Sequence, residues 1–290
     1  MFKYLKKTIL FLLGLALFFL FNIGLNSLIL SESFPSVNVH RTLVLGDSHA
    51  KYDINPQLLD DAINVAQTGE NYIVSYWKLK YFLKEFHPET IILGYSPHNI
   101  SRFNDYKFID DEWSEEMFKR TYAIEDFDKD TVDFDNTTYW KVYFKRMAFF
   151  PRKNHFEFVG KYEKDERNNI SDSLLAIGRH YYTYGEYIGL SKQSIDFLNK
   201  IIALCAQNNI KLILVEGKTH TAYSSRIPPS ILINYNKLKL KLLKQQNIRF
   251  YENLDQFEDE LFLDSNHLNY KGSLKFTSGL KEFMVKEKLN

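Results

Sequence analysis

Arg41-Thr42-Leu43-Val44-Leu45 runs directly into Gly46-Asp47-Ser48-His49, and the fold is read from that junction. A short, unbroken apolar run that ends in turn residues is the pattern of a strand buried on both faces, as in a parallel sheet covered by helices. The same grammar repeats downstream. Ala62 to Ala66 is a second apolar run, followed by Gln67-Thr68-Gly69-Glu70-Asn71 and a helical pattern over 72–86; Thr90-Ile91-Ile92-Leu93-Gly94-Tyr95 is a third. Helical patterns over 191–208 and 231–246 alternate with strands at 211–215 and 248–251, and a helix over 271–288 closes the chain. Strands alternating with helices predict right-handed crossovers and an α/β fold whose active site lies outside the carboxyl ends of the strands. Ser48 stands at such an end.

The 290 residues, 45% hydrophobic and 25% charged, fit a globular core rather than a disordered or fibrous chain. A net charge of +1 provides no field to attract nucleic acid, and no zinc-finger, RNP-like or clustered basic pattern is present, so no nucleic-acid partner is expected. The single cysteine, Cys205, lies in an apolar helical pattern and is expected to pack rather than react. His87, His98, His155, His180 and His220 have no ligand spacing and read as surface or hydrogen-bonded histidines; no metal and no nucleotide cofactor is expected.

Lys3, Lys6 and Lys7 precede an apolar run from Ile9 to Leu30 that is broken only by Gly14, Asn22, Gly24, Asn26 and Ser27. That is long enough to cross a bilayer, and the lysines place the rest of the chain outside the cytoplasm. Residues 1–30 therefore read as an anchor, with a cleaved signal peptide as the rival; 31–40 read as a linker and 41–290 as one catalytic domain. The region 101–189, rich in Tyr, Phe, Asp and Lys with Trp113 and Trp140, breaks the alternation. It reads as an insertion whose rings either pack it down or cap a site for sugars.

The chemistry suggested is that of an activated serine. A hydroxyl needs an imidazole to take its proton and a carboxylate to fix that imidazole. Ser48 supplies the first, and Asp264-Ser265-Asn266-His267 supplies the other two at a spacing that lets Asp264 reach Nδ1 while Nε2 faces the serine. Asp47 and Ser48 also suit a helix cap, and the Asp264–His267 pair also suits a surface loop. For a developing oxyanion, the amides of Ser48 and Gly69 and the side chain of Asn99 are the candidate donors, with Asn71 and Asn104 as rivals. His49, adjacent to Ser48, is expected to line the site.

In their order along the chain, Gly46-Asp47-Ser48, Gly69, a later Asn and Asp264-x-x-His267 resemble the SGNH, or GDSL-like, hydrolase superfamily over most of 41–290. The resemblance implies a flavodoxin-like three-layer α/β/α sandwich. It also implies Ser48 as nucleophile, His267 as base, Asp264 as its orienting acid, and Ser48, Gly69 and Asn99 as the oxyanion hole. The third motif departs from the usual Gly-x-Asn-Asp, because Gly94-Tyr95-Ser96-Pro97-His98-Asn99 carries its Asn later. Gly-Asp-Ser-His-Ala with Asp-x-x-His-Leu is especially similar to extracytoplasmic SGNH domains that work with membrane O-acyltransferases on envelope polysaccharides, and the anchor to D-alanine-transfer proteins of teichoic acid synthesis. The expected function is ester hydrolysis or O-acyl transfer, of acetyl above all, on an envelope glycan. The alternative is an idle SGNH-fold scaffold or glycan-binding partner of a membrane O-acyltransferase.

Overall fold

The computed structural model describes residues 1–35 and 41–288, so most of the linker expected over 31–40 lies outside the described residues. In chain order the elements are α1 (Phe2–Glu32), β1 (Thr42–Leu45), α2 (Ser48–Asp53), β2 (Ala62–Asn64), α3 (Tyr72–Phe82), β3 (Thr90–Gly94), α4 (Ser114–Thr121), α5 (Asn136–Met147), α6 (Ser173–Tyr181), α7 (Lys192–Gln207), β4 (Lys211–Glu216), α8 (Pro229–Leu242), β5 (Ile248–Glu252) and α9 (Tyr270–Lys286), with shorter turns and a small ribbon between them. The chain divides into two units, Met1–Ser36 with Phe108–Glu157, and Val37–Lys107 with Phe158–Asn290. The aromatic-rich region is thereby split. Its middle belongs with the amino-terminal helix, and its two ends belong with the sheet.

The larger unit is built on one parallel sheet in the order β2-β1-β3-β4-β5. Each strand pairs in parallel with its neighbour, from Thr42 opposite Thr90 and Ala62 to Leu212 opposite Ile248. This is the flavodoxin-like doubly wound order, in which the chain leaves β1 outward to β2 and then returns past it to β3. Every residue of β1 and β3 is buried, which explains their unbroken apolar sequence: both faces of the sheet are covered. Val44, Ile92 and Ile213 share one core cluster with Ala50 of α2 and with Phe276, Leu280 and Met284 of α9. Period-two alternation sends Leu43, Leu45, Ile91 and Leu93, also buried, to the other face, and α3 and α7 pack together.

Under the turn after β2 lies a fully buried ion pair between Lys78 and Glu70. Lys78 Nζ also donates to the Val65 carbonyl at 2.8 Å, and Glu70 accepts from Ser75 Oγ at 2.6 Å. The lysine of α3 thus fastens both ends of the segment that carries Gly69. Lys78→Met leaves a carboxylate buried without its cation, a loss of about 3–5 kcal/mol. We expect a correspondingly lower urea midpoint with an unchanged slope; a midpoint equal to wild type contradicts it.

In the smaller unit, α1 extends for 31 residues and is the one helix among the described residues long and apolar enough to cross a membrane. Its two buried residues are both polar, Asn22 and Asn26. Phe108, Met117, Phe118, Val142 and Met147 form the buried side of α4, α5 and their connections. Phe118 lies edge-on to Tyr139 at 5.6 Å and tilted against Phe134 at 4.8 Å.

Candidate active site

Ser48 is the first residue of α2, immediately beyond the carboxyl end of β1. Gly46 makes this possible. Its φ of +129° is one that a side chain resists, and a Cβ there would stand 3.1 Å from the Gly94 amide and 3.2 Å from Ala50 Cβ. The chain therefore turns sharply between two strand ends, and α2 starts against them. Asp47 caps the helix through Oδ1, which accepts from the His49 amide at 3.0 Å, so the capping role read from the sequence and the half-buried position of Ser48 at the helix start hold together.

The turn from Asp264 to His267, which precedes α9, brings a second group to the same place. His267 Nε2 lies 2.7 Å from Ser48 Oγ, and His267 Nδ1 lies 2.8 and 2.9 Å from the two carboxylate oxygens of Asp264. Asp264 also accepts from the amides of Asn266 at 2.9 Å and His267 at 2.8 Å, which locks the three-residue turn around its own carboxylate. From the opposite side, Asp53 Oδ1 accepts from the Leu268 amide at 3.1 Å, so the helix that carries Ser48 also holds the loop that carries His267. Burial alone would disfavour the imidazolium of His267, but the hydrogen bond and charge of Asp264 outweigh it and raise the His267 pKa above the ordinary imidazole value. Burial likewise opposes the Asp264 carboxylate, and the hydrogen bond from His267 overcomes it, leaving the Asp264 pKa lowered.

The turn with Gly69 is tied to the serine loop by a bond from the Gln67 amide to the Gly46 carbonyl at 3.0 Å. Gly69 has a φ of +71°, and Lys107 Nζ holds its carbonyl at 2.9 Å. Its carbonyl is thereby engaged, and its own amide has no acceptor among the described residues. Asn99 lies beyond β3, buried, and its carboxamide works locally: Oδ1 accepts from the Ser96 amide at 2.7 Å, and Nδ2 donates to Asp47 Oδ2 at 2.6 Å. Its reach to the serine loop thus runs through Asp47. The rivals are engaged with backbone. Asn71 caps α3 and donates to the Asn104 carbonyl, while Asn104 spans the carbonyls of His98, Asn99 and Ser101.

Further side chains complete the setting. Asn266 Nδ2 lies 3.4 Å from both His267 Nε2 and His49 Nε2. His98 Nε2 lies 2.6 Å from Asp47 Oδ2. Behind the site the imidazoles form a column, with ring centroids 4.9 Å apart for His267 and His49, 4.4 Å for His49 and His98, and 4.8 Å for His98 and His180. His180 Nδ1 in turn meets Tyr223 Oη at 2.6 Å. Burial pushes the pKa of His49 and of His180 well below the usual range, so these rings are neutral packing partners. Burial works against the Asp47 carboxylate, yet the attraction and hydrogen bond of His98, with the Asn99 amide, keep its pKa well below normal. Single histidines at 49, 98, 180 and 267, the nearest two 49 positions apart, give no sequence signal for such a stack, although His49 and His98 each follow the end of a strand.

The Ser48 loop, the Gly69 turn, Asn99 and the Asp264–His267 turn all lie at the carboxyl edge of one flavodoxin-like sheet, the first beside the β1–β3 switch point where such folds bind ligands. The architecture is that of a flavodoxin-like α/β fold.

Comparison with family models gives no match, and neither does comparison with curated proteins. Among solved structures, the chain is similar to a candidate platelet activating factor from Streptococcus pneumonia, with 14% identity and a TM-score of 0.44, covering 94% of this chain and 98% of that one. It is also similar to a candidate acylhydrolase from Bacteroides fragilis, with 12% identity, a TM-score of 0.39 and coverage of 91% and 95%. A third is an acetyl xylan esterase from the rumen bacterium Butyrivibrio proteoclasticus, with 11% identity, a TM-score of 0.35 and coverage of 88% and 66%.

Proposed function

We propose that this chain is a membrane-anchored, extracytoplasmic serine acyl-ester hydrolase or O-acyltransferase that works through an acyl-Ser48 intermediate, acetyl above all, and acts on a cell-envelope glycan. The observation that supports this most is the 2.7 Å approach of His267 Nε2 to Ser48 Oγ, with Asp264 on Nδ1. In this reading His267 takes the Ser48 proton as Oγ attacks the ester carbonyl, then returns it to the departing alcohol. Water or a sugar hydroxyl, deprotonated by the same imidazole, releases the acyl group. The Ser48 and Gly69 amides are the donors for the negative oxygen, each worth about 3 kcal/mol, and Asn99, whose Nδ2 stands 2.6 Å from Asp47 Oδ2 and 3.3 Å from His98 Nε2, is the third candidate.

What favours a retained anchor over a removable leader is Asn26 of α1. It is fully buried in the smaller unit, and removing the helix would strip four hydrogen bonds from that unit. A fluorophosphonate probe tests the central claim: labelling of wild type but not of Ser48→Ala supports it, and a folded sample that stays unlabelled favours the idle scaffold. Turnover of p-nitrophenyl acetate with and without a glycan acceptor separates hydrolysis from transfer.

The raised pKa of His267 also sets a pH dependence. Only the neutral imidazole can accept a proton, so kcat/KM should fall with decreasing pH through a pKa above the ordinary value of about 6.5. Asp264→Asn removes the cause. The acid limb should then move to lower pH, while the rate falls by about 10⁴-fold as the ring loses its orientation. A limb that stays in place, or moves to higher pH, contradicts the assignment of Asp264.

A further inference from the structure

Unit by unit, the least expected exposed surface is a cluster of aromatic rings on α5 and on the bend that follows it. Trp140, Phe144, Phe149 and Phe150 are 54%, 42%, 42% and 68% exposed. Trp140 and Phe144 lie one helical turn apart on α5, and Phe149 and Phe150 form the bend that follows it. These rings continue the surface of α1. Phe144 and Phe149 pack on Phe19 at centroid distances of 5.0 and 5.5 Å, and Phe150 packs on Phe18 at 6.1 Å.

We propose that the bend at Phe149 and Phe150, with Phe144, enters the acyl-chain region of the lipid bilayer beside α1. This rests on the reading of α1 as membrane-spanning. The argument is one of depth. Lys3, Lys6 and Lys7 mark the inner boundary, so even an untilted helix with Lys3 at the edge of the hydrocarbon places Phe18 and Phe19 only about 23–24 Å up, at 1.5 Å per residue. The hydrocarbon is about 30 Å thick. Any tilt, or a boundary nearer Lys7, puts the two rings deeper still, and whatever packs on them is in lipid too.

An irregular bend in lipid needs its backbone groups satisfied, because no water is there to do it. Asn26 does this. Its Nδ2 donates to the carbonyls of Met147 at 2.8 Å and Phe150 at 3.0 Å, while its Oδ1 accepts from the Arg152 amide at 2.8 Å. His155 Nε2 completes the carboxamide at 3.2 Å. Reckoned from Lys7 or from Lys3, Asn26 falls about 28–35 Å along the axis, at the outer boundary. Lys141, Lys145 and Lys153 are exposed around the rings, a mixture of aromatic and cationic groups suited to the acyl and headgroup layers.

The test uses the full chain in phosphatidylcholine–phosphatidylglycerol vesicles, with an environment-sensitive fluorophore attached at Phe150→Cys or, separately, Phe149→Cys. Leu10→Cys serves as the spanning control and Lys192→Cys as the aqueous one. The native Cys205 is buried and does not compete for label. The expected result is that nitroxides on the lipid acyl chains quench the probes at 149, 150 and 10, and leave 192 unaffected. Quenching at 10 with water-exposed probes at both 149 and 150 overturns the proposal while the anchor reading stands, and so would reveal rings reserved for another protein. No quenching at 10 removes the anchor reading and the proposal with it.

Discussion

Ser48→Ala is expected to lower kcat for p-nitrophenyl acetate by about 10⁶-fold, to the level that binding and the oxyanion donors sustain by themselves. The hydroxyl is the only atom removed, and its hydrogen bond is to His267 Nε2, so nothing in the fold depends on it. The cap of α2 is made by Asp47, and the turn before it by Gly46. Thermal or denaturant stability should therefore match wild type within about 0.5 kcal/mol. If stability holds while turnover remains within tenfold of wild type, an acyl-Ser48 intermediate is ruled out.

His267→Ala is expected to cost about the same factor, because an unassisted serine is no nucleophile at neutral pH. The fold should again survive. The backbone of the turn is held without the imidazole: Asp264 keeps the amides of Asn266 and His267, the Leu263 amide keeps the His267 carbonyl, and the Leu268 amide keeps Asp53. Residues that act as one unit do not add, so the Ser48→Ala/His267→Ala double variant should be no slower than either single one. Measured kcat values that multiply would mean that the two side chains act independently, against their 2.7 Å approach.

Asp53 shows how much of this arrangement is indirect. It lies one turn along α2 from His49, its pKa pushed well above the usual range by burial. Its Oδ2 and His49 Nδ1 crowd the space over Gly217, where a Cβ would stand 3.0 Å from the first and 2.5 Å from the second. The loop after β4 can pass so close only because residue 217 has no side chain. No periodicity announces that need, since the neighbours belong to a helix far upstream.

The sheet was legible in the amino-acid order because strands buried on both faces must be apolar throughout. β1 and β3 come within a residue or so of their expected limits, and the flanking helices differ mainly at frayed ends. Motif order likewise pointed to Ser48, Asp264 and His267, because a local turn can be read from a spacing of three. What sequence could not decide is anything set by approach across the fold: the meeting of Ser48 with a histidine 219 positions away, the stacking of His49, His98 and His180, the commitment of Asn99 to Asp47, and the grip of Asn26 on a bend more than 120 positions later. Local propensity and burial leave a periodic trace along the chain. Contacts between distant segments leave none, because each partner alone is compatible with many surroundings and only the packed structure selects one.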